Sequence, residues 1–144
     1  MPQGFDPAQV DAALEFDPAW TADLRARWQS MITIAVWDTL DTDQLGAAPR
    51  LRKRLLESGE RMKSLVGSRH WIPHPRERLK SALAAALALR ETLSAIDGAL
   101  TGLRPGADAA RLTAAFLALR TALENELQKR ETAWARMLDA QIAD

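Results

Sequence analysis

Between residues 75 and 142 the chain carries two long stretches of apolar residues at helical spacing, separated by Arg104-Pro105-Gly106. In the first, Leu79, Leu83, Ala86, Leu87, Leu89, Leu93, Ile96, Leu100 and Leu103 recur every three or four positions. In the second, Leu112, Phe116, Leu119, Leu123, Leu127, Trp134 and then Met137 or Leu138 form a narrower stripe. At 1.5 Å per residue these helices run about 43 Å and about 50 Å. Two such helices joined by a tight Pro-Gly turn have to lie antiparallel. The apolar positions of the first cover an arc of about 200°, more than a single neighbour can bury. Further helices must therefore come from the rest of the chain.

Residues 1–74 supply them. Phe5-Asp6-Pro7-Ala8 and Phe16-Asp17-Pro18-Ala19 repeat one helix-start signal, with aspartate as N-cap and proline in the first helical position. Gln9 sits at the capping-box position of the first copy, and Phe5 is spaced to staple onto Val10. A short helix is expected over residues 7–15, and a longer one from Pro18 to around Asp43. Trp20, Leu24, Trp28, Met31 and Ala35 lie on one face of the longer helix. Residues 31–37, Met-Ile-Thr-Ile-Ala-Val-Trp, are apolar nearly all round and match a buried strand as well as a buried helical turn. No second strand-like segment exists to pair with them, so the helix is expected.

A break at residues 46–49 precedes a helix opened by Pro49, with Leu51, Leu55, Met62 and Val66 as its stripe. Gly59 falls on that stripe, where it either admits a neighbouring backbone or weakens the helix by about 1 kcal/mol. Gly67-Ser68 stops the helix. Residues 69–75, Arg-His-Trp-Ile-Pro-His-Pro, form a stiff connector.

The expected fold is therefore all-α: an antiparallel bundle of four main helices with a short N-terminal helix. One helical domain spans residues 1–144. It comprises an N-terminal helix or arm (1–17), a first helical pair with its connector (18–74) and a long helical hairpin (75–144). The composition agrees, with 27 alanines and 21 leucines against 17 residues among Val, Ile and Thr. No run of about 20 apolar residues, as a membrane span requires, is present, and the N-terminus has no signal-peptide pattern. The absence of cysteine excludes disulfides and cysteine-ligated metal sites. A cytoplasmic location is expected.

Formal net charge is zero, yet it is unevenly spread. Residues 1–49 sum to −6, from two basic and eight acidic side chains. Residues 50–80 sum to +7, from ten basic and three acidic. Either the acidic first part packs beside the basic middle, or the basic middle meets a polyanion. Fifteen of the 19 basic residues are arginine, which suits bidentate pairing with carboxylate or phosphate alike. A surface for a polyanion or an acidic partner would be built from Arg52, Lys53, Arg54, Arg61, Lys63, Arg69, Trp71, Arg76, Arg78 and Lys80. In it the indole would stack a base while the cations hold phosphates. The opposing expectation places Trp71 and Ile72 as a plug in the bundle end.

His70 and His74 are spaced i, i+4, but Pro73 and Pro75 bracket the second, so the shared helix face needed for a metal does not form. Glu126 and Arg130, also i, i+4, can pair within the last helix, either inside a strict heptad seam or at the edge of a 3.6-residue stripe. Nucleophile elbow, phosphate loop and metal-ligand motifs are absent, so no catalytic residue, cofactor or metal is expected. The leading expectation is a non-enzymatic helical protein mediating protein–protein interaction, as an adaptor, chaperone-like or assembly component. The wide apolar faces make a homodimer an expectation too. The alternative is a polyanion- or nucleic-acid-binding module that uses residues 50–80.

Overall fold

The computed structural model describes residues 4–37 and 47–140. Five helices form: α1 (Pro7–Leu14), α2 (Pro18–Trp37), α3 (Ala47–Val66), α4 (Pro75–Thr101) and α5 (Ala107–Asp139). No strand forms among the described residues, and 31–37 are helical. In that stretch Met31 and Ala35 are buried, Ile32 and Ile34 partly so, and Thr33 is exposed. No helix is long and apolar enough to cross a membrane among the residues described. The expected continuation of α2 to Asp43, the break at Gly46 and the end of α5 at Ile142 lie outside the described residues.

Local chemistry sets the helix starts. The Asp6 carboxylate accepts from the Gln9 amide at 2.8 Å, and the Gln9 side chain accepts from the Asp6 amide at 2.8 Å, a complete capping box. Asp17 accepts from the Ala19 amide at 3.1 Å. The repeated Phe-Asp-Pro-Ala signal is thus used twice as a cap, and Phe5 and Phe16 both pack against the core. α3 begins two residues before Pro49, which still falls in the first turn, where its missing N–H has no partner to lose.

The helices form a ring in which α2 meets α3, α3 meets α4, α4 meets α5 and α5 returns to α2. Residues 25–32 lie beside 56–63, and 16–18 beside 66–70, so α2 and α3 are antiparallel. Residues 50–54 lie beside 98–102, and Arg69 reaches Ser81, so α3 and α4 are antiparallel too. Arg90 bonds Glu131 at 2.9 Å, and Arg120 lies 3.7 Å from Asp97, fixing the register of α4 against α5. The result is an up-down-up-down four-helix bundle. α1 lies over α4 and α5 at the end where α2 begins, so α4 has three neighbours, as its wide apolar arc requires.

Leu112, Phe116, Leu119, Leu123, Leu127, Trp134 and Met137 of α5 are all buried, while Glu126 and Arg130 stand at the stripe's edge. The 3.6-residue period therefore holds rather than a strict heptad. Two expectations for the core change. Leu87 is exposed although it lies within the leucine arc of α4. On α3, Ser58 and Leu65 are buried, whereas Val66 is only partly so.

Ser58 works as a core residue because its hydroxyl is used on both sides. It accepts from Trp28 Nε1 at 2.6 Å and donates to the Leu55 carbonyl at 2.8 Å. Beside it, a Cβ on Gly59 would meet no atom within 4 Å, so no neighbouring backbone among the described residues needs the glycine. The two positions predict opposite signs in urea denaturation. Ser58→Ala leaves the buried indole N–H without its acceptor and costs about 1–3 kcal/mol. Gly59→Ala removes helix-interior glycine and stabilises by about 0.5–1 kcal/mol.

Candidate interaction surface at the capped end of the bundle

At the end of α3 the Gly67 amide still donates to the Lys63 carbonyl, at 3.0 Å, and the chain then turns back. The last carbonyls of a helix have no amide of their own to accept from. Here Arg69 supplies the donors. Its Nη1 donates to Leu65 O at 2.8 Å and Gly67 O at 3.0 Å, its Nη2 to Ser64 O at 2.9 Å, and its Nε to Ser81 Oγ at 3.2 Å. The residue is only 7% exposed, and this burial pulls the guanidinium pKa below its ordinary value.

The Arg69 carbonyl accepts from the Ile72 amide at 3.0 Å, closing a turn over His70 and Trp71. Arg78, reaching up from the first turn of α4, holds that turn from beneath. Its Nε donates to Ile72 O at 2.6 Å and its Nη2 to His70 O at 3.5 Å. Its Nη1 donates to Asp11 Oδ1 of α1 at 2.8 Å. The Arg78 side chain is 12% exposed. With both arginines turned inward, Ile72 is half-buried and Trp71 is 79% exposed. The indole is displayed and does not plug the bundle.

The start of α2 is fastened at the same end. Arg130 bonds Glu126 at 2.8 Å, donates to Glu15 O at 2.6 Å and lies 3.8 Å from the centre of the Phe16 ring. Trp134 Nε1 donates to Ala13 O at 2.8 Å, and its ring meets Phe16 edge-on, with centroids 6.4 Å apart. Phe16 in turn stacks on Trp20.

The ten residues grouped by sequence therefore divide. Arg52, Lys53, Arg54, Arg61 and Lys63 stand on α3, the others on the connector and the start of α4. Along the helix axis Arg52, Lys53 and Arg54 stand about 20 Å from Val66, whereas Arg61 and Lys63 stand within about 8 Å of it. Within the second group Arg69 and Arg78 are committed to backbone carbonyls, Arg76 points to Ala140 O at 3.4 Å, and Lys80 pairs with Glu77 at 3.3 Å. On α3, Arg54 pairs with Glu57 and Lys63 with Glu60, and Arg52 is engaged within the chain as well.

The acidic first part meets the basic middle through Asp11, whose carboxylate holds Arg78 and lies 3.8 Å from His70 Nδ1. A hollow of about 390 Å³ beside them is lined by Glu15, Phe16, Ser68 and His70 among others. With Asp11 already bonded to Arg78 and the imidazole beyond hydrogen-bond distance, these groups do not form a proton relay. His74 has extended backbone at the N-cap of α4, so it shares no helix face with His70. No group of three or more potential metal ligands occurs among the described residues.

A second exposed feature lies on the outer side of α3. Leu56 is 57% exposed within an open hollow of about 730 Å³ whose lining includes Pro49, Lys53, Glu60 and Ser64.

Sequence reasoning reached Trp71 and the Glu126–Arg130 pair. It did not reach Asp11, or the contacts of Arg69, Arg78 and Arg130 with backbone carbonyls, because an exposed-looking arginine carries no local sign that it will fold inward. Compared with known proteins, the chain matches no family model, no curated protein and no solved structure.

If Arg69 fixes the connector, Arg69→Met lowers stability by about 2–3 kcal/mol through the carbonyls it leaves unpaired. Amide exchange at Ile72, whose N–H is bonded to the Arg69 carbonyl, should quicken more than exchange at mid-helix amides of α4.

Proposed function

We propose that the protein is a non-catalytic, cytoplasmic helical-bundle module that binds another protein, with Trp71 as its anchor. The exposure of this indole on a pinned turn is the observation that carries the reading. Tryptophan is over-represented among residues that dominate interface energies, because one side chain brings a large apolar area and few rotors. A turn already held by Arg69 and Arg78 has little freedom left to lose on binding, so more of the contact energy is available as affinity. The bundle below it serves as the rigid mount.

The inward commitment of Arg69 and Arg78 favours a protein partner over a polyanion at this end, because the two guanidiniums that hold the turn under the indole are already bonded. One observation keeps the polyanion reading in view. Arg50, Lys53 and Arg54 line a hollow of about 510 Å³ beside Gly98 and Gly102 at the end of α4. Cations at that place also suit the negative end of the α4 dipole, which accounts for them without a ligand.

The experiment is a photo-crosslinking amino acid placed at position 74, three residues from the retained Trp71, with position 87 as an exposed control on α4. A defined crosslinked protein obtained from position 74 and not from position 87 is the expected result. Trp71→Ala should abolish capture of that protein while changing folding stability by less than about 0.5 kcal/mol. Equal capture by wild type and Trp71→Ala would overturn the reading. Light scattering with absorbance at 260 and 280 nm tests the alternative. Co-purifying nucleic acid that salt removes, with a weaker salt dependence after Arg52, Lys53 and Arg54 become alanine, would establish it.

A further inference from the structure

We propose that the outer face of α3 binds a short acidic segment of a partner protein, extended and carrying an apolar residue between two carboxylates. This is a second surface, separate from the Trp71 turn, and it does not depend on what that turn binds.

Over Ala47–Val66 the sequence places six basic side chains and two acidic ones, a net of +4. Both acids are taken up on the same helix, where Glu57 meets Arg54 at 3.0 Å and Glu60 meets Lys63 at 3.4 Å. The face therefore repels a second copy of itself and attracts negative charge. Lys53 and Arg61 are exposed, and neither has an ion pair among the described residues. Both border the open hollow of about 730 Å³ in which Leu56 stands, 57% exposed. Eight residues of helix set these two cations about 12 Å apart along the axis, with Leu56 between them. The hollow thus has a cation towards each end and a leucine in the middle.

That order fits an extended peptide. In an extended chain, side chains two residues apart share a face, and residues four apart lie about 13 Å from one another. A segment reading acid, any residue, apolar, any residue, acid brings one carboxylate to Lys53, the other to Arg61 and its apolar side chain to Leu56. The aliphatic stems of Lys53 and Arg61 widen the apolar floor while their heads stay in water. A nucleic acid would find the cations but nothing to stack on, since none of the described residues lining the hollow is aromatic. A lipid surface needs a broad projecting apolar face, whereas here one leucine stands in a concave surface with two glutamates in its lining. One apolar contact and two exposed ion pairs make the complex weak and salt-sensitive.

The probe is a synthetic peptide with blocked ends and the core Glu-Ser-Leu-Ser-Glu, titrated into the isotope-labelled full chain and followed by amide chemical shifts. Saturable shifts along residues 49–64 are expected, with a Kd at or below about 1 mM that rises with salt. Lys53→Glu and Arg61→Glu should each weaken binding about fivefold, with circular dichroism as the check on folding. The double variant should prefer a Lys-Ser-Leu-Ser-Lys peptide instead. Replacing the peptide's leucine by serine should weaken binding about tenfold. Trp71→Ala should bind like wild type.

A titration without saturable shifts on α3 overturns the proposal. So does equal binding of the serine-substituted peptide, which would leave a charged surface and no apolar site. A single-stranded oligonucleotide or phosphatidylserine vesicles that bind this face more tightly than the peptide overturn it as well. Peptide binding that appears only after Asp38, Asp41 and Asp43 become asparagine would give the face to the chain's own acidic stretch, and overturns it too. Crosslinking beside Trp71 reads a different surface, so failure of the α3 site and failure of the Trp71 reading are distinguishable.

Discussion

A helix that ends inside a folded chain leaves carbonyls that must find donors, and in α3 one buried guanidinium meets the need. Arg69 bonds the carbonyls of Ser64, Leu65 and Gly67 and ties them to Ser81 on α4. That one contact fixes where α3 stops and how α4 starts beside it. Arg78 then finds the carbonyls of His70 and Ile72 within reach, and the carboxylate of Asp11 on its other side. So the seating of α1 follows from the reversal between α3 and α4. At the other junction, Arg130 and Trp134 do for residues 13–16 what Arg69 does for 64–67, by donating to carbonyls that a helix end has released. Arginine suits this use because its fork carries several donors in fixed directions and stays charged when buried.

This use of arginine decides which parts of the fold the sequence discloses. Helix starts are legible because a cap and its amide lie two or three residues apart, and Asp6 and Asp17 act as their surroundings indicate. The α5 stripe is legible because period alone separates Leu127 and Trp134 from Glu126 and Arg130. Helix ends and loop anchors are another matter. Arg78 meets Asp11 across 67 residues, and Arg130 meets Glu15 across 115. No spacing rule reaches that far, so a cluster of cations around Trp71 reads as a surface until the fold shows where the guanidiniums point. The charge asymmetry between residues 1–49 and 50–80 is real, and among the described residues part of it is spent inside the molecule at Asp11.

Leu87 shows the limit of periodicity from the other side. It lies within the leucine arc of α4, yet the three neighbours of that helix leave a strip of the arc uncovered. Its counterpart in the Leu-Ala-Leu-Arg echo, Leu117 on α5, is exposed too. The echo invites a shared apolar patch, but the register excludes one. Arg90 stands beside Glu131 and Asp97 near Arg120, so Leu87 lies level with residues near 132, about 15 residues or 22 Å along α5 from Leu117. Two lone leucines that far apart are ordinary surface features. Leu56 has a different setting, with a recess beside it and charged side chains around it, the two glutamates among them paired along α3 with Arg54 and Lys63. Exposure alone therefore does not mark a surface as a meeting place. Trp71 is set apart by the arginines that hold its turn, so that its exposure is imposed by the fold rather than left over from it.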